Sequence, residues 1–399
     1  MDAKLLKEKV FSLADELQPL FEEVCDTVFH HPELGMQEFW TSDYLVSMIE
    51  KEGFSVEKPF GGIETAFCAK KGQSGPRIAF LAEYDALPGY GPCKNENGHA
   101  CGHNWIAAVT FGAAVVLGRI ADELGCRALW IGTPAEETIG GKIDLVRAGA
   151  FEGVDLVLQM HLGAHTELYA HSQAMDSIEF TFEGRAAHAA AAPERGINAL
   201  DACNLTFAGV NCLRQHVTPD VRMHGIISEG GVAPNIVPSH CVVKFYVRAA
   251  HRSYLDTVTE KVINIARGAE LMTGAKMSYR FFENPFDELD NCAPLRPYME
   301  ANLRAAGETD IEESDPNVGG STDIGNVSQV CPTFYVPMAA GNTDGSRCHD
   351  EAFLAHVNSP AAYAALNRGV KAMAATAVDA LADPALWAEV QSWCHRNKD

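Results

Sequence analysis

Positive charge is what this chain has least of for its size. It carries 31 Lys and Arg against 53 Asp and Glu, a formal charge of −22 at pH 7. That deficit argues against a nucleic-acid-binding surface, because phosphate contacts need clustered Lys and Arg. Apolar runs are short as well, and none approaches the ~18–20 residues of a membrane span. The N-terminal segment MDAKLLKEKVFSLADEL has charges scattered through an amphipathic pattern, unlike the apolar core of a secretion signal. No CxxC pair occurs, which removes zinc ribbons and thioredoxin-like redox motifs. The 12 cysteines lack the close, regular spacing of a disulfide framework and are expected mainly as small buried hydrophobes. A G-x-S-x-G elbow, a P-loop and a dinucleotide fingerprint are also missing. Exclusion leaves a soluble, acidic protein, expected in the cytoplasm with neither nucleic acid nor membrane as partner.

What is present suffices for two hydrophobic cores. The 399 residues are 47% hydrophobic and 21% charged, and single cores stop growing near ~250–300 residues. Helical periodicity runs over residues 4–30 and 40–52, and RIAFLA, RALWIGTP and VDLVLQM are compact apolar strands. Asn104 is placed to cap the apolar helix WIAAVTFGAAVVLGRIADEL. Strands alternating with helices predict an α/β fold, a mainly parallel sheet with helices on both faces. After about residue 172 the texture changes. SIEFTFEG alternates, with Ile178, Phe180 and Phe182 on one face and Glu179, Thr181 and Glu183 on the other. A helix over 197–215, strands at 222–229 and 240–249, a helix over 254–272 and a strand at 276–282 complete a β-α-β-β-α-β order. This predicts an inserted α+β, ferredoxin-like domain at 174–287 within a larger domain of 1–173 and 288–399.

Titratable groups gather just past the apolar strands. Asp85 follows RIAFLA, Glu136 and Glu137 follow RALWIGTP, His161 follows VDLVLQM, and His349 lies beyond TFYVPM. Open α/β sheets build their sites at the carboxyl ends of strands, so these groups should converge. A fifth segment, HACGHN, places Cys101 and His103 two residues apart, on one side of an extended chain. Thiolate and imidazole together suit zinc or another borderline divalent metal. With Glu137, His161 and His349 they make five candidate ligands, too many for one tetrahedral ion and suited to two. Of the adjacent Glu136 and Glu137, one carboxylate can bind metal while its neighbour, pointing differently, holds the attacking water as general base. Asp85 fits an outer position that orients a ligand. His30, His31, His165, His171, His356 and His395 fit surface or structural roles better.

Taken in order, these segments resemble the M20 metallopeptidase family, specifically its amidohydrolase branch. FHHPELGMQEFWTSDYL, AEYDALPG, HACGHN, GTPAEE, MHLG, GRAAHAAAAPERGINALDA, GGVAPNIVP and GGSTDIGNVSQVCPTFY carry the likeness along nearly the whole chain. The nearest subgroup holds aminobenzoyl-glutamate hydrolases and dipeptidases. The resemblance implies that Cys101, His103, Glu137, His161 and His349 hold two divalent ions per subunit, Zn2+ first, with Mn2+ or Co2+ as alternatives. It makes Glu136 the general base. His188 would stabilise the tetrahedral oxyanion, in its own subunit's site or its partner's. Asn235, Arg248, Ser321 and Thr322 would line the substrate. The inserted domain would serve as lid and homodimer interface. Two departures stand out: Glu83 occupies a position where the peptidase branch has histidine, and GPCKNEN is an insertion with Cys93 in it.

The implied function is hydrolysis of the amide bond of a small N-acyl amino acid by a metal-activated water. A dipeptidase for basic or β-alanyl dipeptides is the alternative within hydrolases. A catalytically idle metal-binding scaffold is the alternative outside them. The acidic balance favours cationic substrates, so a glutamyl product would need a local positive group such as Arg248 or Arg195.

Overall fold

A computed structural model describes residues 2–91, 93, 96–314 and 319–393. Part of GPCKNEN (Pro92, Lys94 and Asn95) and the C-terminal Cys394 and His395 lie outside the described residues. The chain divides into two compact units. The first comprises Met1–His171, Leu289–Val318 and Asn326–Asp399; the second comprises Ser172–Glu288 and Gly319–Gly325.

The first unit is built on a six-stranded sheet. Its strands are β1 (Ser55–Glu57), β2 (Phe67–Lys71), β3 (Arg77–Ala82), β4 (Arg127–Gly132) and β5 (Leu156–Gly163), with a late β10 (Thr333–Ala339). Their order is β1-β2-β4-β3-β5-β10. β3 runs parallel to β4 and β5, and β5 parallel to β10, while β2 is antiparallel to both its neighbours. The four parallel strands therefore deliver their carboxyl ends to one edge. The sheet is mixed only at its β1-β2 margin.

Helices α1 (Ala3–Phe29), α2 (Phe39–Lys51), α3 (His103–Leu124) and α4 (Gly141–Arg147) surround the sheet, joined late in the chain by α7 (Arg296–Ala305), α8 (Pro360–Ala382) and α9 (Pro384–Trp393). α3 is long and apolar enough to cross a membrane by length and composition, but 94% of its most apolar window is buried inside the protein. It packs between α1 and α8 and over β3, β4 and β5. Burying Trp105, Phe111 and Trp130 without exposure places the largest side chains at this junction. At about 25 cal/mol per Å² of apolar surface, each such ring contributes several kcal/mol, as an upper bound.

The start of α3 differs from the sequence expectation. Gly102, not Asn104, occupies the N-cap, with φ 80°, and the helix opens at His103. A Cβ at Gly102 would also come within 3.1 Å of Leu162. Asn104 lies inside the helix, and its amide donates to the Cys25 carbonyl at 3.3 Å. The glycine's left-handed φ makes the chain turn two residues earlier than a cap at Asn104 would.

The second unit is an antiparallel four-stranded sheet in the order β7-β8-β6-β9, formed by β6 (Ala174–Glu183), β7 (Arg222–Glu229), β8 (His240–Ala249) and β9 (Lys276–Phe281). Helices α5 (Ala199–Leu213) and α6 (Arg252–Thr273) give the chain order β-α-β-β-α-β. Ile178, Phe180 and Phe182 are fully buried in this unit's own core with Phe245, Val243 and Val262. Gly319–Gly325 groups with this unit, whereas the sequence reading placed it with the larger domain. Two bonds tie it there: Gln173 N–H donates to the Gly320 carbonyl at 2.9 Å, and Arg248 reaches Ser321.

Candidate metal centre

The site grows from what the parallel strand ends of the first unit present. Beyond β3 the chain turns inward through Glu83, Tyr84 and Asp85, all at most 1% exposed. Asp85 joins three segments. Its Oδ1 accepts from His103 Nδ1 at 2.8 Å and its Oδ2 accepts from the Glu137 backbone N–H at 2.9 Å. The carboxylate fixes the ring, so His103 turns Nε2 to the other side, toward the cluster. His161, at the end of β5, is set similarly. Its Nδ1 donates to the Leu162 carbonyl at 2.6 Å, turning Nε2 toward Cys101.

Those two ring nitrogens open on a cluster. The ligand atoms of Cys101, His103 and His161 lie within 4.8 Å of one another, as do those of Cys101, Glu137 and His349 and those of His103, Glu136 and Glu137. The first two groups adjoin and share Cys101. The fit to metal can be tested by spacing. Sulfur and nitrogen at about 2.3 and 2.05 Å from one tetrahedral ion lie about 3.5 Å apart. Cys101 Sγ and His161 Nε2 are 3.5 Å apart. His103 Nε2 is buried and has no hydrogen-bond partner among the described residues, as suits an atom that would bind a metal.

The charges agree. Burial pushes the Glu137 carboxyl up, but the bond from His349 and the charge of His103 outweigh it and hold the group at about 2. His349 Nε2 lies 2.9 Å from Glu137 Oε1 and is raised by that bond. The loop residue reaches this position with φ 72° and its backbone N–H on the Ala100 carbonyl at 3.0 Å. Cys101 is held well above the usual thiol range by its bond to Cys348 and by burial. Metal would displace these protons, so uptake should release them.

The turn that carries Glu136 and Glu137 is held by residues that sequence reasoning missed. Ala135 is buried with φ 64°, a left-handed conformation that costs a non-glycine residue about 1–2 kcal/mol. Its N–H donates to Glu38 Oε1 at 2.8 Å. Gly35 presses against the same turn, where a Cβ would stand 2.9 Å from the Ala135 Cα and 2.5 Å from Thr138 Oγ1. Burial and the charge of Asp85 raise Glu38 to about 8. The segment PELGMQE is thus a brace behind the two glutamates. The signal available in sequence was an acidic residue next to an apolar helix start, which reads equally well as a helix cap. Cys348 was missed as well; its thiol donates to the Leu162 carbonyl at 3.3 Å and lies against Cys101.

The remaining candidates lie in the second unit. His188 is exposed, and its Nδ1 accepts from the backbone N–H groups of Ala190 and Ala191 at 3.2 and 3.1 Å. It bridges to Ile236, and Ala189 N–H donates to the Asn235 carbonyl at 3.0 Å, so His188 and Asn235 share one edge. Arg248 Nη1 donates to Ser321 Oγ at 2.8 Å, with Thr322 the next residue. Away from both sets, His30 and His31 are exposed against their own helix, and His356 pairs with Asp344. Cys93 is exposed.

Residues 79–379 match the family model described as peptidase family M20/M25/M40. The chain is 35% identical to a Xaa-Arg dipeptidase of Mus musculus, over 96% of this chain and 91% of that protein. It is also 35% identical to one of the p-aminobenzoyl-glutamate hydrolase polypeptides of Escherichia coli, over 65% of this chain and 57% of that one. Among solved structures, a Bacillus subtilis dinuclear metal-binding peptidase of the M20 family superposes with a TM-score of 0.67 at 20% identity, over 92% and 99% of the two chains.

Proposed function

From the premise that this chain belongs to peptidase family M20/M25/M40, we propose that it hydrolyses the amide bond of a small N-acyl amino acid. The observation that carries this reading is the convergence of Cys101, His103, Glu137, His161 and His349 at the parallel strand ends, with Glu136 beside them. Ions held by those five residues would supply Lewis acidity to the scissile carbonyl and to the attacking water. Two ions per chain, with zinc preferred, match the thiolate and imidazole donors.

The chain's own residues do the rest. Glu136 takes the water's proton and delivers it to the leaving nitrogen. Asp85 fixes the ring of His103, and the Glu38 bond fixes the backbone from which both glutamates project. His188 donates to the oxyanion, and Arg248, Ser321, Thr322 and Asn235 contact the substrate. The second unit acts as lid and homodimer interface; its edge strand β7 leaves Ile226 62% and Ile227 37% exposed, apolar surface suited to pairing.

A second reading, a dipeptidase for basic dipeptides, is favoured by the near full-length likeness to the mouse Xaa-Arg dipeptidase and by the charge of −22. The full chain, assayed on N-acyl amino acids, aminobenzoyl-glutamate and Xaa-Arg and β-alanyl-lysine dipeptides, separates the readings. Turnover that a chelator removes and zinc restores is expected. Preference for the N-acyl panel supports the first reading and preference for lysyl or arginyl products the second. No turnover on any member, with ions bound, would leave an idle scaffold.

A further inference from the structure

We propose that Glu83 is a sixth protein ligand of the metal centre; this rests on the metal reading above. Glu83 is wholly buried, and its two oxygens are treated differently. Oε1 accepts from Lys142 Nζ at 2.5 Å and from Gln159 Nε2 at 2.7 Å. Both donors are themselves buried without exposure, so this half of the carboxylate is committed. Oε2 has no hydrogen-bond partner among the described residues. A buried oxygen left without a partner loses its hydration and gains nothing in return, the more so when charged, so such an atom calls for an explanation.

The explanation lies opposite. Oε2 is 3.5 Å from His103 Nε2, another buried atom without a hydrogen-bond partner among the described residues. Asp85 takes His103 Nδ1, so Nε2 is the ring atom turned to Glu83 Oε2, and at 3.5 Å the two make no hydrogen bond. A metal ion between them would satisfy both. The separation selects the kind of cation. Oxygen and nitrogen ligands at about 2.1 Å from one tetrahedral ion stand about 3.4 Å apart. The gap is closed to water, because neither atom exposes surface to solvent.

The surrounding clamp fits a ligand whose direction matters. With Oε1 held by Lys142 and Gln159, Glu83 can bind only through Oε2, as a monodentate donor. Lys142 sits in α4, directly after the glutamate turn, and Gln159 in β5, two residues before His161. The clamp therefore ties Glu83 to the elements that carry Glu137 and His161. Glu83 lies in AEYDALPG with Asp85, so one strand end provides a direct ligand and the residue that orients another.

Two measurements decide this. The full chain is stripped with chelator and titrated with Zn2+, beside Glu83→Asp and the double variant Glu83→Gln/Lys142→Met. Glu83→Asp keeps the charge that Lys142 needs but withdraws the oxygen by one methylene. The double variant removes both charges, so neither is left buried alone. Each should bind one of the two ions at least tenfold more weakly while keeping the cooperative thermal transition of a folded protein. Anomalous diffraction from zinc-loaded crystals of the unaltered chain should place an ion within about 2.2 Å of Glu83 Oε2. An ion more than about 3 Å away overturns the proposal even if a variant fails to fold. So does wild-type affinity for both ions in the two variants. An unaltered chain that takes up no zinc would overturn the metal reading itself, a different result from two ions bound without Glu83.

Discussion

The two units differ in where their candidate functional groups lie. In the first, Glu38, Glu83, Asp85, His103, Lys142 and Gln159 are all without meaningful exposure, and each is committed to a named partner or faces the cluster of candidate ligands. In the second, the core is mainly apolar, from Ile178 and Phe180 to Phe245 and Val262, and its buried carboxylate Asp176 is held by Arg252 and Thr259. Its candidate functional groups, His188 and Asn235, are exposed on loops. Buried polar groups demand exact satisfaction and so hold geometry fixed. Exposed groups on loops can move, and contribute through what they touch. The first unit has the character of a preformed centre and the second that of an adaptable recognition surface.

That contrast can be broken by substitution. The largest effect is expected from the ligands: His161→Ala or Cys101→Ser should lower turnover at least about 10³-fold and cost at least one bound ion, read by metal analysis beside kinetics. His188→Ala in the second unit should lower kcat by about 10²–10³-fold with metal content unchanged, the size of one lost oxyanion donor. If it also loses metal, the division of labour between the units is wrong.

Smaller effects sharpen the picture. Glu38→Leu should lower kcat about 10–100-fold, the range for losing a residue that orients the groups doing chemistry. Glu38→Gln, which still offers a carbonyl oxygen to the Ala135 N–H, should recover most of it. The same pair predicts a pH dependence. Glu38 is raised to about 8 by burial and by Asp85, against an ordinary 4.5. The native state then holds a proton that the unfolded chain has lost, so stability falls as pH rises from about 4.5 to about 8. Thermal melts of Glu38→Gln should lack that part of the decline. Arg248→Met should do least, raising KM about tenfold at nearly constant kcat, since it removes binding to the substrate and no reacting group.

Much of this was legible before the structure. Strict alternation in SIEFTFEG identified the buried and open faces of β6, because a two-residue period leaves no other solution. Apolar strands followed by Asp85, Glu136-Glu137 and His161 located the cluster, because parallel strands share a carboxyl edge. What stayed hidden was contact between segments far apart in sequence. Glu38 reaches Ala135 across 97 positions, and Lys142 reaches Glu83 across 59. Periodicity cannot report such pairs. Asn104 misled for a local reason: a left-handed Gly102 starts α3 without a side-chain cap. The grouping of 319–325 with the second unit was equally hidden, since it depends on Arg248 and Gln173.

The central claim is that the first unit holds its metals without Glu136 and uses Glu136 only to move the proton. The direct measurement is metal content and turnover of Glu136→Ala, purified as the full chain and compared with the unaltered protein. The account predicts unchanged ion stoichiometry with kcat lowered at least about 10²–10⁴-fold, the span of general-base catalysis. Substantial turnover with both ions in place would contradict it.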